Sequence, residues 1–485
     1  MDNITIKEIS DGHVGKEFYI VAKIRAIRQT TGPTIFELKD NTDSIKSTAF
    51  TKAGERAFPE LIIGNNLQAR VAVKKRGMDL ELELLSYEKI NQEVVDNSAF
   101  MKRQFLAKSE RMDRLRPLFL DAAKRILDAI DEGRPIVIRH HDDVDGYTCG
   151  LVLEKAIKPL IEELNPEKAH LFISRNPSRT PFYDYIDALR DLNDYLLAKE
   201  RYDERAPLIL LCDLGSNNQS IDGIKRLLYY GIDFIIIDHH LFDEDNKKSV
   251  KVFLNPHVFG MGSDLNAGAL CSELALLLNP DLKIHHLPAL SGVADRSSGD
   301  EFEHYVKLSG FSKQELERWG YAIDHDLHYL KFNGASGLFE DLFFPTENNK
   351  KIIEEIHKSM EGEFLNVKNT VARFLKIFDY GKFKLLRISR TCVPYGSYAG
   401  SKLPRLANDS VTGARITMVE DEDSISFRAN GIGTFSVVKL VESLKKEMPY
   451  AMIDGGGHDF AGTLKFSTAA KEEVFEKVLE FIKKL

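Results

Sequence analysis

The chain has 485 residues, 43% hydrophobic and 29% charged, with a formal net charge of −8, which makes two to four folded domains the expectation and excludes a disordered or fibrous chain. No apolar run approaches the roughly 18 residues that span a bilayer, and the N-terminus lacks a charged-then-apolar leader. Four scattered cysteines (Cys149, Cys212, Cys271, Cys392) form no Cys-x-x-Cys pair, so no membrane, no secretion and no zinc ribbon is expected, and a cytoplasmic location fits.

Residues 1–90 read as a small all-β barrel. β-rich runs at 4–9, 17–27, 34–38, 45–50, 67–73 and 80–85 are separated by turn residues such as Gly32-Pro33 and Asp40-Asn41, with a short helical stretch expected at 53–61. A meander, a helix and closing strands fit an OB-like barrel best. Arg25, Arg28, Lys74, Lys75 and Arg76 are its candidate strand-binding cations, with Phe18, Tyr19 and Phe36 as stacking or core aromatics.

Residues 91–300 begin with a basic helical stretch, Lys102, Arg103, Lys108, Arg111, Arg114 and Arg116, that reads equally as a connector or a phosphate contact. From Pro135 the pattern becomes short apolar runs (135–139, 208–212, 234–237, 252–254) alternating with helical segments (148–163, 220–229, 266–278), as buried parallel strands with helices on both faces produce. Residues 301–375 read as a charged helical linker or insertion. A smaller α+β pattern fills 376–485, with strands at 385–388, 414–419, 425–428 and 460–466 and helices at 434–447 and 471–484. The fold class expected is therefore multidomain α/β: barrel, parallel-sheet α/β domain, C-terminal α+β domain.

Four segments place acids or histidines at a strand's carboxyl end or an adjacent turn, where open α/β sheets bind ligands. They are Arg139-His140-His141-Asp142-Asp143-Val144-Asp145-Gly146, then Asp213, then Asp238-His239-His240, then Asp295. Taken singly, an Asp after a strand is a turn former or helix cap. Taken together, such carboxylates and imidazoles would repel strongly without cations. Carboxylate and imidazole without thiolate favour two Mn²⁺ or Mg²⁺ ions over structural zinc, and paired ions suit in-line phosphoryl displacement. The net negative charge therefore speaks only weakly against a nucleic-acid partner.

Asp143-x-Asp145-Gly146, Asp213, Asp238-His239-His240 and Asp295 resemble the four motifs of the DHH phosphoesterase superfamily. Gly455-Gly456-Gly457-His458-Asp459-Phe460-Ala461-Gly462 resembles the signature of its DHHA1 substrate-binding domain. Within that superfamily the chain looks most like archaeal RecJ-like exonucleases. The resemblance implies that Asp213 bridges two ions, that Asp145, His239 and Asp295 complete one shell, and that Asp143 and a preceding ligand hold the other. Arg139 stands where many members carry a His ligand, so His141 takes that role, with His140 as the alternative. His240 would contact the scissile phosphate and Asp238 would orient the histidines. Arg428, Gly455, Gly456, Gly457 and His458 would bind substrate, the glycines as a backbone nest. Arg175 and Arg179 are weaker cleft candidates, as is Asn255-Pro256-His257.

The activity expected is single-strand-specific exonuclease action on DNA, RNA or both, at a cleft between catalytic and C-terminal domains, in replication, repair or turnover. Replication proteins are partners by resemblance alone. A phosphodiesterase for short oligonucleotides or cyclic dinucleotides is the first rival. A non-catalytic replication scaffold is the second, and retention of the acidic set argues against it.

Overall fold

Alternating burial closes the first ninety residues into a barrel. β2 (Thr34–Lys39) buries Thr34, Phe36 and Leu38 and turns Ile35, Glu37 and Lys39 away from the interior. With β1 (Glu17–Gln29), β3 (Ser44–Ala49), β4 (Asn66–Arg76) and β5 (Asp79–Ile90) it forms a closed sheet of order β1-β2-β3-β5-β4. β3 runs parallel to β5 and the other pairs are antiparallel, which is the OB-like connectivity. This computed structural model describes residues 2–485 apart from 53, 93, 95–97, 165–168, 179 and 331–335. The chain divides into two units, Met1–Ser336 and Gly337–Leu485.

Two expectations for the barrel are corrected. Residues 4–9 form no strand, because Glu8 accepts from both the N–H and the hydroxyl of Thr5 (2.9 and 2.6 Å) and curls Ile6–Glu8 into a 3₁₀ turn. No helix occurs among the described residues of 53–61, where Gly54 and Phe58 have positive φ and Pro59 follows.

Of the barrel's five candidate cations, Arg25, Lys74 and Lys75 are ion-paired, while Arg28 and Arg76 enter no ion pair among the described residues. Arg25 and Lys23, both buried on β1, pair with Asp131, and Lys39 lies 3.7 Å from Glu163. Lys74 pairs with Glu83 and Lys75 with Asp11. Phe36 is core. Asp131 ends α1 (Glu110–Asp131), so the cations also meet the negative end of that helix dipole. The basic stretch entering α1 is a connector. Arg103 donates to the carbonyls of Leu277 and Leu278, Arg114 to Phe259 and Arg116 to Met101 and Arg103, while Arg111 binds Asp264 and Glu301.

The α/β sheet holds β6 (Ile136–His141), β7 (Ile173–Ser178), β8 (Leu208–Cys212), β9 (Asp233–Ile237) and β10 (Val252–Leu254), all parallel, in the order β10-β9-β8-β6-β7. Every residue of β8 is buried. Ile209, Leu211, Phe234 and Ile236 pack against α3 (Tyr185–Tyr202) and α4 (Ile221–Leu228). Between β6 and β8 the strand order reverses, and such a switch point opens a crevice at the strands' carboxyl ends. α2 (Val144–Leu164) follows β6, and α5 (Glu244–Ser249) precedes β10. α6 (Ala267–Leu278) is apolar nearly all round and entirely buried. α7 (Leu287–Asp295), α8 (Asp300–Ser309) and α9 (Lys313–Leu330) complete the first unit.

α10 (Ser336–Phe343) begins at the last residue of the first unit and belongs otherwise to the second, followed by α11 (Glu347–Phe374). The second unit's sheet contains β11 (Lys376–Asp379), β12 (Lys384–Ser389), β13 (Arg415–Glu420), β14 (Ser424–Asn430), β15 (Asp454–His458) and β16 (Ala461–Lys465), ordered β11-β12-β13-β14-β16-β15. α12 (Tyr398–Ser401), α13 (Leu403–Asp409), α14 (Val437–Glu447) and α15 (Lys471–Lys483) accompany it. The glycine-rich segment, expected as a backbone nest, forms strand β15. A Cβ at Gly455 would lie 2.1 Å from the Thr463 carbonyl oxygen, and one at Gly457 2.5 Å from that of Ala461, so close strand approach itself demands glycine. Among the described residues no helix is long and apolar enough to cross a membrane.

Candidate metal centre

Three strand ends deliver the site. His141 closes β6, Asp213 follows β8, and Asp238, His239 and His240 follow β9. Asp213 sits in the left-handed region (φ 59°), its N–H donating to the carbonyl of Ile237 at 2.9 Å. That conformation is uncommon outside glycine, asparagine and aspartate. Asp143 accepts from the N–H of Gly146 at 2.9 Å, and a Cβ at Gly146 would lie 2.2 Å from the His141 carbonyl oxygen. The start of α2 thus needs glycine there for close approach.

Asp145 is buried against the N-terminus of α6. Its carboxylate accepts from the N–H groups of Ala267 and Gly268 (3.1 and 2.7 Å) and from Asn266 Nδ2 at 2.5 Å. The orphan donors of α6 are therefore satisfied from another element. A Cβ at Gly268 would lie 2.6 Å from Asp145 Oδ1. Asp295, the last residue of α7, lies 3.6 Å from His239. His239 Nδ1 is 2.9 Å from the carbonyl of Ser263, which can only accept, so Nδ1 carries the proton. Nε2 is then left facing Asp213 at 3.3 Å and Asp145 at 3.8 Å. Buried Asp238 accepts from the N–H groups of Ser216, His239 and His240 and from His240 Nδ1 at 2.8 Å, so it orients both imidazoles' segment.

The donor atoms form three clusters, each within 4.8 Å: His141, Asp143 and Asp213; Asp145, His239 and Asp295; Asp213, His239 and His240. Asp213 belongs to two and touches the third through His239. His140 joins none. It is buried, with Nδ1 at 2.7 Å from the His141 carbonyl and its ring against Tyr147, and burial holds it neutral, with its pKa lowered to about 3. Arg139 is also structural, paired in the interior with Asp191.

The electrostatics of the ion-free site fit a cation. Burial, with Asp213 and Asp295 nearby, pushes Asp145 well above the carboxylate range, and burial with Asp213 raises Asp295 to about 6. His239 is raised although burial opposes it, because Asp213, Asp295 and Asp145 surround it. Buried Asp213 Oδ1 has no hydrogen-bond partner, and His141 Nδ1 lies 2.9 Å from Asp143 without hydrogen-bond alignment. Once the protons held between them are lost, these carboxylate and imidazole lone pairs converge on a shared space that a divalent ion can use.

Other candidates separate. Asn255 is buried and donates to the carbonyl of His240 and to Ser216, steadying the histidine turn, and His257 reaches Ser263. Arg175 is held by Glu154, and Arg179 lies outside the described residues. Arg428 lies on β14, its carbonyl accepting from Asn408; Gly455, Gly456 and Gly457 lie on β15, and the side chain of His458 is outside the described residues. Sequence reasoning missed Asn266, Ser263 and Ser216. Asn266 before α6 reads as an ordinary helix cap, and a supporting backbone carbonyl leaves no sequence signal.

The chain is similar to several known proteins. Residues 135–287 match the model of the DHH family, N-terminal domain. An uncharacterised protein, MJ1198, of Methanocaldococcus jannaschii is 31% identical over 99% of this chain and 71% of its own length. A solved DHH domain, PF0399, described as a member of the S1p family of ribosomal proteins, is 32% identical with a TM-score of 0.74, covering 79% of this chain and 94% of that one. RecJ of Thermus thermophilus, solved with Mn²⁺, shares the fold at 14% identity and a TM-score of 0.54, over 80% of this chain and 57% of that one.

Proposed function

The chain belongs to the DHH phosphoesterase superfamily, with a RecJ-like fold, and from that premise we propose a two-metal-dependent, single-strand-specific exonuclease that hydrolyses phosphodiester bonds of DNA, RNA or both. The observation that carries this reading is the sharing of Asp213 between donor clusters that contain carboxylates and imidazoles and no thiolate. Such donors suit Mn²⁺ or Mg²⁺, and the similar RecJ fold was solved with Mn²⁺. When bound, two such ions supply Lewis-acid polarisation and charge neutralisation at a phosphoryl group.

The protein's own groups have separable roles. Asp213, His141 and Asp143 would hold one ion, and Asp145, His239 and Asp295 the other. His240, the most exposed of the site's imidazoles at 26%, would donate to the scissile phosphate while Asp238 holds its Nδ1. The second unit, read as a DHHA1-type domain, would grip substrate through Arg428, the Gly455–Gly457 strand and His458. The barrel would contribute single-strand affinity, and replication proteins are the partners this reading favours.

The test is digestion of end-labelled single-stranded DNA and RNA with Mn²⁺, Mg²⁺ or EDTA, beside Asp213→Asn. Asparagine keeps the size and tolerates the left-handed backbone. Stepwise metal-dependent release of mononucleotides is expected, reduced by more than about 100-fold in the variant, since even supporting residues of metal ligands cost 10–100-fold. Intact polymers under every metal would reject the exonuclease. One observation favours a second reading, a phosphodiesterase for short oligonucleotides or cyclic dinucleotides. Lys23, Arg25, Lys39, Lys74 and Lys75 of the barrel are all spent on ion pairs within the chain. Cleavage confined to the shortest members of a length series would decide for it.

A further inference from the structure

We propose that Arg111 is a positioning residue for the ion that Asp145, His239 and Asp295 would hold, and not for its neighbour; this rests on the two-ion reading above. The two donor sets are supported differently. Asp213 and Asp143 are fixed at the sheet edge itself, by the carbonyl of Ile237 and the N–H of Gly146. Asp145, His239 and Asp295 depend on two segments beyond the sheet, and one guanidinium ties both.

The first segment is the loop before α6. Ser263 offers the carbonyl that fixes the proton on His239, and Asn266 donates to Asp145. Asp264 lies between them in sequence, and Arg111 grips its two carboxylate oxygens at 2.7 and 3.0 Å. The second segment runs from Asp295 into α8. Its Glu301, buried, receives Arg111 Nη1 at 3.2 Å and the hydroxyl of Ser109 at 2.6 Å. The turn between them packs on the same fork. Gly299 has φ 95°, and a Cβ there would lie 3.3 Å from Asp264 Oδ2. Bidentate geometry is what arginine supplies and lysine does not. The mobile degrees of freedom of one ligand set are thus removed from α1, an element that contributes no ligand.

The experiment titrates the intact protein with Mn²⁺ and follows the free-ion electron paramagnetic resonance signal, beside a thermal melt. Arg111→Lys keeps the charge and loses the fork. It should weaken one ion about tenfold, the low end for a residue that supports ligands, and leave the other unchanged. Asp264→Asn should do the same. In Asp143→Asn, which removes a ligand of the other set, adding Arg111→Lys should again cost about tenfold for the ion that remains. Unchanged affinity in that background overturns the proposal. So does an equal loss at both ions with a lowered melting temperature, which would mark general loosening. If the parent takes up a single ion, the two-ion reading falls; Arg111→Lys is then judged on that ion, and unchanged affinity overturns its role.

Discussion

Asp143, Asp145, Asp213 and Asp295 cannot all carry charge in one small volume without cations among them. Burial and mutual repulsion raise Asp295 to about 6 and push Asp145 well above its ordinary value, and the carboxylates around His141 and His239 hold their protons as well. Each of these groups must release a proton before it can bind an ion. Affinity for Mn²⁺ is therefore expected to rise with pH through about 6, by up to roughly tenfold per pH unit for each proton displaced. Titrations at pH 5, 6 and 7, with proton release read in weak buffer, check this, and an affinity flat across the range would refute it. These acids and histidines were legible in the sequence because ligation restricts residue type. Asn266 and Ser263 were not, since an asparagine before a helix has an ordinary use and a backbone carbonyl belongs to every residue.

At the scale of elements, the N-terminus of α6 and the carboxylate of Asp145 form one device. The helix supplies donors, and Gly268 lets the carboxylate reach them. Gly268→Ala would set a methyl 2.4 Å from Ser291 Oγ and 2.6 Å from Asp145 Oδ1. A loss of about 1–3 kcal/mol in stability is expected from such overpacking, together with weaker Mn²⁺ binding; chemical denaturation with and without the ion measures both. The buried strands β6, β8 and β9 announced themselves as apolar runs. β7 did not, because an edge strand tolerates Ser174, Arg175, Asn176 and Pro177. β15 was hidden for another reason, since a run of glycines reads as a backbone nest and gives no sign that strand approach requires them. The basic run before and within α1 was legible as charge but not as purpose, because guanidinium donors bind carbonyls and phosphates alike.

Across the first unit, the barrel is joined to the α/β body by buried charge. Lys23 and Arg25 share Asp131 at the end of α1, all three nearly inaccessible. Asp131→Asn would remove the carboxylate that both buried cations share in that interface. A cost of about 3–5 kcal/mol is expected, and urea unfolding measures it. A variant as stable as its parent would show that water reaches those cations. The barrel and the parallel sheet were legible from strand spacing and composition, whereas this junction pairs residues about a hundred positions apart that no local pattern connects. The backbone of Asp213 carries a different consequence. Glycine at that position would ease the left-handed backbone and remove a buried like charge in one substitution. Stability alone would therefore favour that change at this position. The aspartate is thus a residue that the fold tolerates rather than needs, as a ligand of the proposed metal centre would be.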